Sequence, residues 1–292
     1  MAARTKASGG CTLGTLAAPE GPPDCLTWPV VVLIAEHLHS EGTKICGADA
    51  GHASRAAVMQ FDTYCRPDEL LCLSLSDLTP PVWRPPWQKS QAADTWSLMV
   101  RPHRQIREGE ALDLRRANGK AASEARPNKQ GVYDNAVLIG QPASAASGRS
   151  IVPLICAFLY MGKHLEYLES GRNMFRSKTR LLEGSSQMSP DTPCFPISYN
   201  RYVACLRWAV KSLKIPCVSN PHALRHGGPS ADFFLGVRSI AEIRDRGKWQ
   251  SEVSCSRYRQ AGRYQRELNK LTAEQLARAD HIEVWGLHFL IR

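Results

Sequence analysis

The residue types best suited to chemistry fall in three short stretches. They are Pro221-His222-Ala223-Leu224-Arg225-His226-Gly227-Gly228, Gly247-Lys248-Trp249 and Ser256-Arg257-Tyr258-Arg259. His222 and Arg225 are three positions apart, so a helix projects both from one face. An imidazole that titrates near neutrality, beside a guanidinium that stays ionised, suits proton transfer at an anionic group. Tyr258 follows Trp249 by nine positions. Upstream, Arg66 opens the run Arg66-Pro67-Asp68-Glu69-Leu70-Leu71-Cys72-Leu73, and Lys129 sits in Asn128-Lys129-Gln130-Gly131. Taken singly, each residue has a plain structural reading. His222 can cap or pack at a helix start, Arg66 or Arg225 can serve a surface ion pair, Trp249 can belong to a core, and Tyr264 competes with Tyr258. Their joint order and spacing carry the signal.

In that order and spacing the sequence resembles the tyrosine recombinases, the phage-integrase family. Their signature runs from an early arginine through a hairpin lysine and a His-x-x-Arg to a later His or Trp and a nucleophilic tyrosine. Phe233-Phe234-Leu235-Gly236-Val237 and Ile240-Ala241-Glu242-Ile243 are similar to the apolar helix, turn and short helix between the last two blocks. The resemblance covers residues 24–275 and implies a catalytic set of Arg66, Lys129, His222, Arg225, Trp249 and Tyr258. It implies DNA strand cleavage and rejoining through a covalent phosphotyrosine, as in site-specific recombination or integration by a mobile element. Arg66 and Arg225 would answer the charge that develops on the phosphodiester oxygens, because guanidiniums bind two oxygens at once. Tyr258 would attack, His222 would accept its proton, and Lys129, with Lys120 as a substitute, would protonate the departing sugar oxygen. Trp249 would offer its indole N–H where many members carry His. Neither a metal nor another cofactor is implied. Arg238, Arg244, Arg246, Lys248, Arg257, Arg259, Arg263 and Arg266 would line the DNA backbone. Double-stranded DNA is the implied partner, with assembly of copies upon it.

These residues need elements to hold them. Val30–His39 and Gly51–Tyr64 read as helices, the second with Ala53, Ala56, Ala57 and Phe61 on its inner side. Pro67 in a first turn and Asp68 and Glu69 at the positive helix end mark another start, followed by a leucine stripe. Pro80, Pro81, Pro85 and Pro86 exclude helix over 79–87. Trp96–Val100 and Tyr133–Ile139 read as strands of a hairpin with Lys129 near its tip, and 101–128 as a loop or insertion. Helices are expected at Ile151–Leu168, Tyr199–Lys214, from Asn220-Pro221 onward, and at Ile240–Arg246, Glu252–Ala261 and Leu268–Ala279. The expected fold class is α+β, mostly helical, a tyrosine recombinase catalytic core with a small antiparallel sheet. Residues 1–28 read as a disordered leader, 29–275 as the catalytic domain and 276–292 as an apolar tail that docks on a neighbouring subunit or has no function.

The 292 residues carry a net charge of +10, unevenly placed. Residues 1–100 sum to −3, whereas 201–270 hold 14 Lys/Arg against 5 Asp/Glu. Such a basic third suits a polyanion, nucleic acid above all. With 43% apolar and 22% charged residues, global disorder is excluded. The longest apolar run, Val30–Ala35, falls short of the ~20 residues of a membrane span. No secretory pattern follows Arg4 and Lys6, so an intracellular, DNA-associated protein is expected, its ten cysteines reduced. Only 65 residues precede Arg66, so the family's helical DNA-clamping domain is expected to be missing. An alternative follows: a catalytically inactive DNA-binding remnant. A type IB topoisomerase, with related chemistry, is a weaker one.

Overall fold

A computed structural model describes residues 25–81, 95–100, 135–139, 149–161, 191–217, 219–249, 251–256, 258 and 261–291. The described fold is mostly helical with a three-stranded antiparallel sheet, as the sequence leads one to expect. Among the described residues no helix is long and apolar enough to cross a membrane.

Helix α1 (Trp28–Ser40) is the central post. Its residues Val31–Ala35 are apolar on every side, and all are 0–1% exposed. A helix apolar all round must be surrounded by other elements. After the short α2 (Gly42–Cys46), α3 (Asp49–Thr63) packs along it through Ala50, Ala53, Ala56 and Ala57, all fully buried. Small side chains permit this close approach. Ala53, Ala56, Ala57 and Phe61, expected on an inner side, are buried, but so is every other residue from Ala53 to Thr63, because α3 is enclosed on all sides.

Helix α4 (Pro67–Leu71) is shorter than its leucine stripe suggested. The chain leaves the helix at Cys72, yet Leu70, Leu73 and Leu75 remain buried. Ser74 and Asp77 set up a tight turn there, with the Ser74 N–H donating to Asp77 Oδ2 at 2.9 Å. Strand β1 (Leu78–Thr79) then pairs with β2 (Trp96–Val100), which pairs with β3 (Asn135–Ile139). Alternating Trp96, Leu98 and Val100 turn inward. The two expected strands pair antiparallel; β1 was not foreseen because two residues carry no periodicity.

Helix α5 (Ile151–Met161) and α6 (Tyr199–Ser212) complete one side of the core, α6 burying Tyr202, Leu206, Ala209 and Val210. Helix α7 (Pro221–Phe234) starts where its chemistry dictates: the Asn220 side chain accepts from the His222 N–H, and Pro221 takes the first position. Helix α8 (Ile240–Gly247) is capped by Ser239 with Glu242, and α9 (Glu252–Ser256) follows. The helix expected to run to Ala261 is described only to Ser256.

Two boundaries move. Cys25, Leu26 and Thr27, read as leader, are 1–2% exposed, and the Leu26 N–H donates to Ala223 O at 3.2 Å. Gly228 keeps α7 equally close to α3, since a Cβ there would lie 1.9 Å from Phe61 O. The helix expected at Leu268–Ala279 is instead two, α10 (Ala261–Leu268) and α11 (Ala273–Trp285), because Thr272 caps a new start. The proposed boundary at residue 275 thus falls inside α11. The apolar tail, a 3₁₀ turn over Leu287–Ile291, docks on its own chain: Leu287 and Leu290 are 3% and 0% exposed, and Arg55 Nη1 donates to Leu290 O.

Candidate active site

Arg66 stands at the N-cap of α4 in extended backbone, and its N–H and Nη1 both donate to Glu69, each at 2.7 Å. Glu69 therefore holds Arg66 from both ends. Glu69 Oε2, which accepts the Arg66 N–H, also lies 3.6 Å from Nη1 of Arg225, itself a buried guanidinium. One carboxylate thus gathers two arginines that are 159 positions apart. Arg225 also donates to the carbonyls of Tyr64 and Gly247, the latter at 3.2 Å. Tyr64 presents its carbonyl because it ends α3 in the left-handed region, φ 59°. Burial pulls the Arg225 guanidinium below its ordinary pKa, Glu69 opposes this, and Arg66 adds to it. A buried guanidinium with one shared carboxylate keeps attraction for a further anion.

Trp249 covers this arginine, its ring 5.1 Å from the Arg225 guanidinium carbon. Gly247 makes room, since a Cβ there would meet the Trp249 ring at 1.9 Å. On the far side, the Trp249 and Tyr258 rings are 4.7 Å apart. Tyr258 is 3% exposed, in a small apolar cluster with Tyr64, Ile243 and Cys255 that also fixes α8 and α9. Its hydroxyl lies 3.0 Å from Nδ1 of His226. Arg66, Arg225, Trp249 and Tyr258, from separate segments, are thereby one continuous set. His222 lies on the exposed flank of the same helix face, toward Asp68 and Arg66. Burial lowers its pKa; Asp68 opposes this, and Arg225 and Arg66 add to it, so the ring favours its neutral form.

A small open cleft adjoins the set, lined by Arg66, Glu69, Arg225, Arg246 and Lys248 together with Val100 and Val137 of the sheet. Four cations face one carboxylate there. Lys129 and Lys120 lie outside the described residues.

Tyr264, the rival to Tyr258, has a different employment: its hydroxyl accepts the Trp28 N–H at 3.0 Å, deep in the main core. The basic run divides. Arg244 and Lys248 are partly exposed, and Arg266 is exposed. Arg257 and Arg259 lie outside the described residues. Arg246 donates to Asp62 and to the Leu138 carbonyl, tying α8 to α3 and β3. Arg238 leaves the DNA-facing set altogether: its side chain is 2% exposed and is paired with Asp232. Arg263 is 8% exposed and leaves it too. Charge counting along the sequence cannot separate a buried arginine from a surface one.

Beneath the site lies what the sequence did not reveal. Asp232 pairs with Arg149 and Arg238 and accepts from the Tyr64 hydroxyl, while Asp62 pairs with Arg149 and Arg246. Burial raises the Tyr64 pKa well above its ordinary value, with Asp232 adding to it, so the phenol stays protonated. Tyr64 then links this cluster, through its hydroxyl, to Arg225, through its carbonyl. His226 stands one turn beyond His222 on the same face, and nothing in the sequence marks its place beside Tyr258. No protein-family model, curated protein or solved structure matches the chain.

Proposed function

We propose that this protein cleaves and rejoins double-stranded DNA through a phosphotyrosine bond at Tyr258, in the manner of a tyrosine recombinase. The observation that carries the reading is the position of Arg225, held between Glu69 with Arg66 on one side and Trp249 with Tyr258 on the other. A phosphodiester in the adjoining cleft would meet two guanidiniums. Its non-bridging oxygens gain charge in the transition state, and fixed cations in a partly dry site stabilise that charge without reorganising. Tyr258 then forms the bond to phosphorus as the sugar oxygen departs. Lys129 is the proposed proton donor to that oxygen. Copies assembled on the DNA would rejoin exchanged strands.

The test is an adduct assay with duplex DNA nicked to trap the intermediate, using a pool of random sequences. A protein–DNA species that survives denaturation is expected. It should be absent in Tyr258→Phe, present in Tyr264→Phe and insensitive to a chelator. Absence of any adduct alongside retained DNA binding would instead support the inactive DNA-binding remnant.

A further inference from the structure

We infer that His226, rather than His222, takes the proton from Tyr258; this rests on the reading of Tyr258 as a nucleophile. The phenol and the Nδ1 of His226 are 3.0 Å apart, within range of direct transfer, and the two rings lie 5.9 Å apart at 29°. The His226 ring is held from its own helix, α7, whose next turn is fixed by Ser230 donating to the His226 carbonyl at 2.8 Å. Tyr258 is fixed from the opposite side by Trp249 and Cys255. Among the described residues, the groups packed near the pair include Arg225 from α7, Tyr64 from α3, Trp249 after α8 and Cys255 from α9. Arg225 is the charged one among them. A guanidinium beside the phenol favours the phenolate.

His222 occupies a different place. It is exposed at the first turn of α7, on the Arg66 and Asp68 side of the site. An imidazole there is suited to an anion that Arg66 holds. The two histidines, one helical turn apart, divide the work: His222 toward the anion, His226 toward the nucleophile. In the step, the Tyr258 Oη–P bond forms and the bond from phosphorus to the sugar oxygen breaks. The phenolic proton goes to His226 Nδ1, and the sugar oxygen is protonated by a separate general acid.

The experiment uses the full chain and two probes. Bis(4-nitrophenyl) phosphate loses a stable 4-nitrophenolate, so its reaction needs no general acid and reports on the nucleophile alone. Mass spectrometry locates the adduct at Tyr258, and nitrophenolate release gives its rate. His226→Asn keeps an acceptor near Tyr258 but takes no proton, and should slow the reaction by roughly 10² or more, the usual share of general base catalysis. The wild-type rate should level off above the imidazole's range, near pH ~6.5, whereas the His226→Asn rate should keep climbing toward the phenol's own ~10. His222→Asn should retain the wild-type profile shape. A merely structural role for His226 would not move the profile. Equal rates in His226→Asn and wild type, a profile lost in His222→Asn instead, or no adduct at Tyr258 in the wild-type chain would each overturn the inference. The second probe, the nicked DNA pool, separates the two readings. Reaction of the small diester without any DNA adduct would sink the DNA reading and leave His226 as the base, while DNA adducts at equal rates in wild type and His226→Asn would sink His226 alone.

Discussion

Arg225 does more at this site than any other side chain. It accepts no substitute easily, because its two terminal nitrogens serve two carbonyls and a carboxylate while its plane lies under Trp249. Lysine carries one point charge and three mobile donors, and cannot reproduce that fork. Arg225→Lys should therefore cost roughly 10²–10³ in the rate of adduct formation, the usual loss for one preorganised donor. The check is the rate with the nicked DNA pool, alongside a melting curve that shows the variant folded. Tyr264→Phe belongs to the same scale with the opposite expectation. It removes the acceptor for the Trp28 N–H and should cost stability, about 1–3 kcal/mol for a buried donor left unpaired, while the adduct rate stays unchanged.

Between elements, the site depends on the buried ion cluster that joins α3, α7, α8 and the approach to α5. Asp232 stands against two arginines and a phenol with no exposed surface of its own. Asp232→Ala would leave Arg149 and Arg238 short of charge in a dry interior. The expected cost is about 3–5 kcal/mol, the range for breaking a buried pair from one side. Urea unfolding measures it, and a loss below ~1 kcal/mol, the value of an exposed pair, would show the cluster to be solvated. Close approach of helices is a second dependence. Gly228→Ala places a Cβ against the backbone of Phe61, which cannot rotate away, so α7 must shift relative to α3. Overpacking of that kind costs about 1–3 kcal/mol, and here it also disturbs Arg225, three residues before.

Across the whole molecule, two solution properties follow. The first is loss of stability in alkali. Burial pushes the thiols of Cys65 and Cys205 up to about 12. An unfolded thiol ionises near ~8.5. Below that value both states hold the proton and stability is flat. Above it the unfolded chain releases protons that the folded chain retains, so stability falls with rising pH, by up to about 1.4 kcal/mol per unit for each such group. Tyr64 and Tyr202, raised by burial, add to the fall above ~10. Urea midpoints at pH 8 and pH 10.5 test this, and equal midpoints would contradict it. The second is salt dependence. DNA binding through phosphates should weaken steeply between ~50 and ~200 mM salt. Lys248→Glu, at the cleft, and Arg244→Glu, four residues before it and also partly exposed, should each reduce the slope of log affinity against log salt by about 1. Arg238→Glu should leave no folded chain to titrate, since its guanidinium is a buried partner of Asp232.

The sequence by itself determined the local matters. Asn220 and Pro221 set the start of α7, and alternating Trp96, Leu98 and Val100 set a strand. Each depends on neighbours within one helical turn or one strand. It also fixed the order Arg66, Arg225, Trp249, Tyr258 along the chain. What only the tertiary structure decided was which groups meet. Glu69 reaching both Arg66 and Arg225, the Tyr64 carbonyl under Arg225, Asp232 between Arg149 and Arg238, and the tail packed against its own α1 are contacts across long stretches of chain. Periodicity carries no record of such contacts. An arginine has the same letter whether it faces water or an aspartate, so the basic run looked uniform until burial divided it. His226 was the borderline case. Its spacing from His222 was visible, but a histidine becomes a base only by what stands 3.0 Å from its ring nitrogen, and Tyr258 arrives there from 32 residues away.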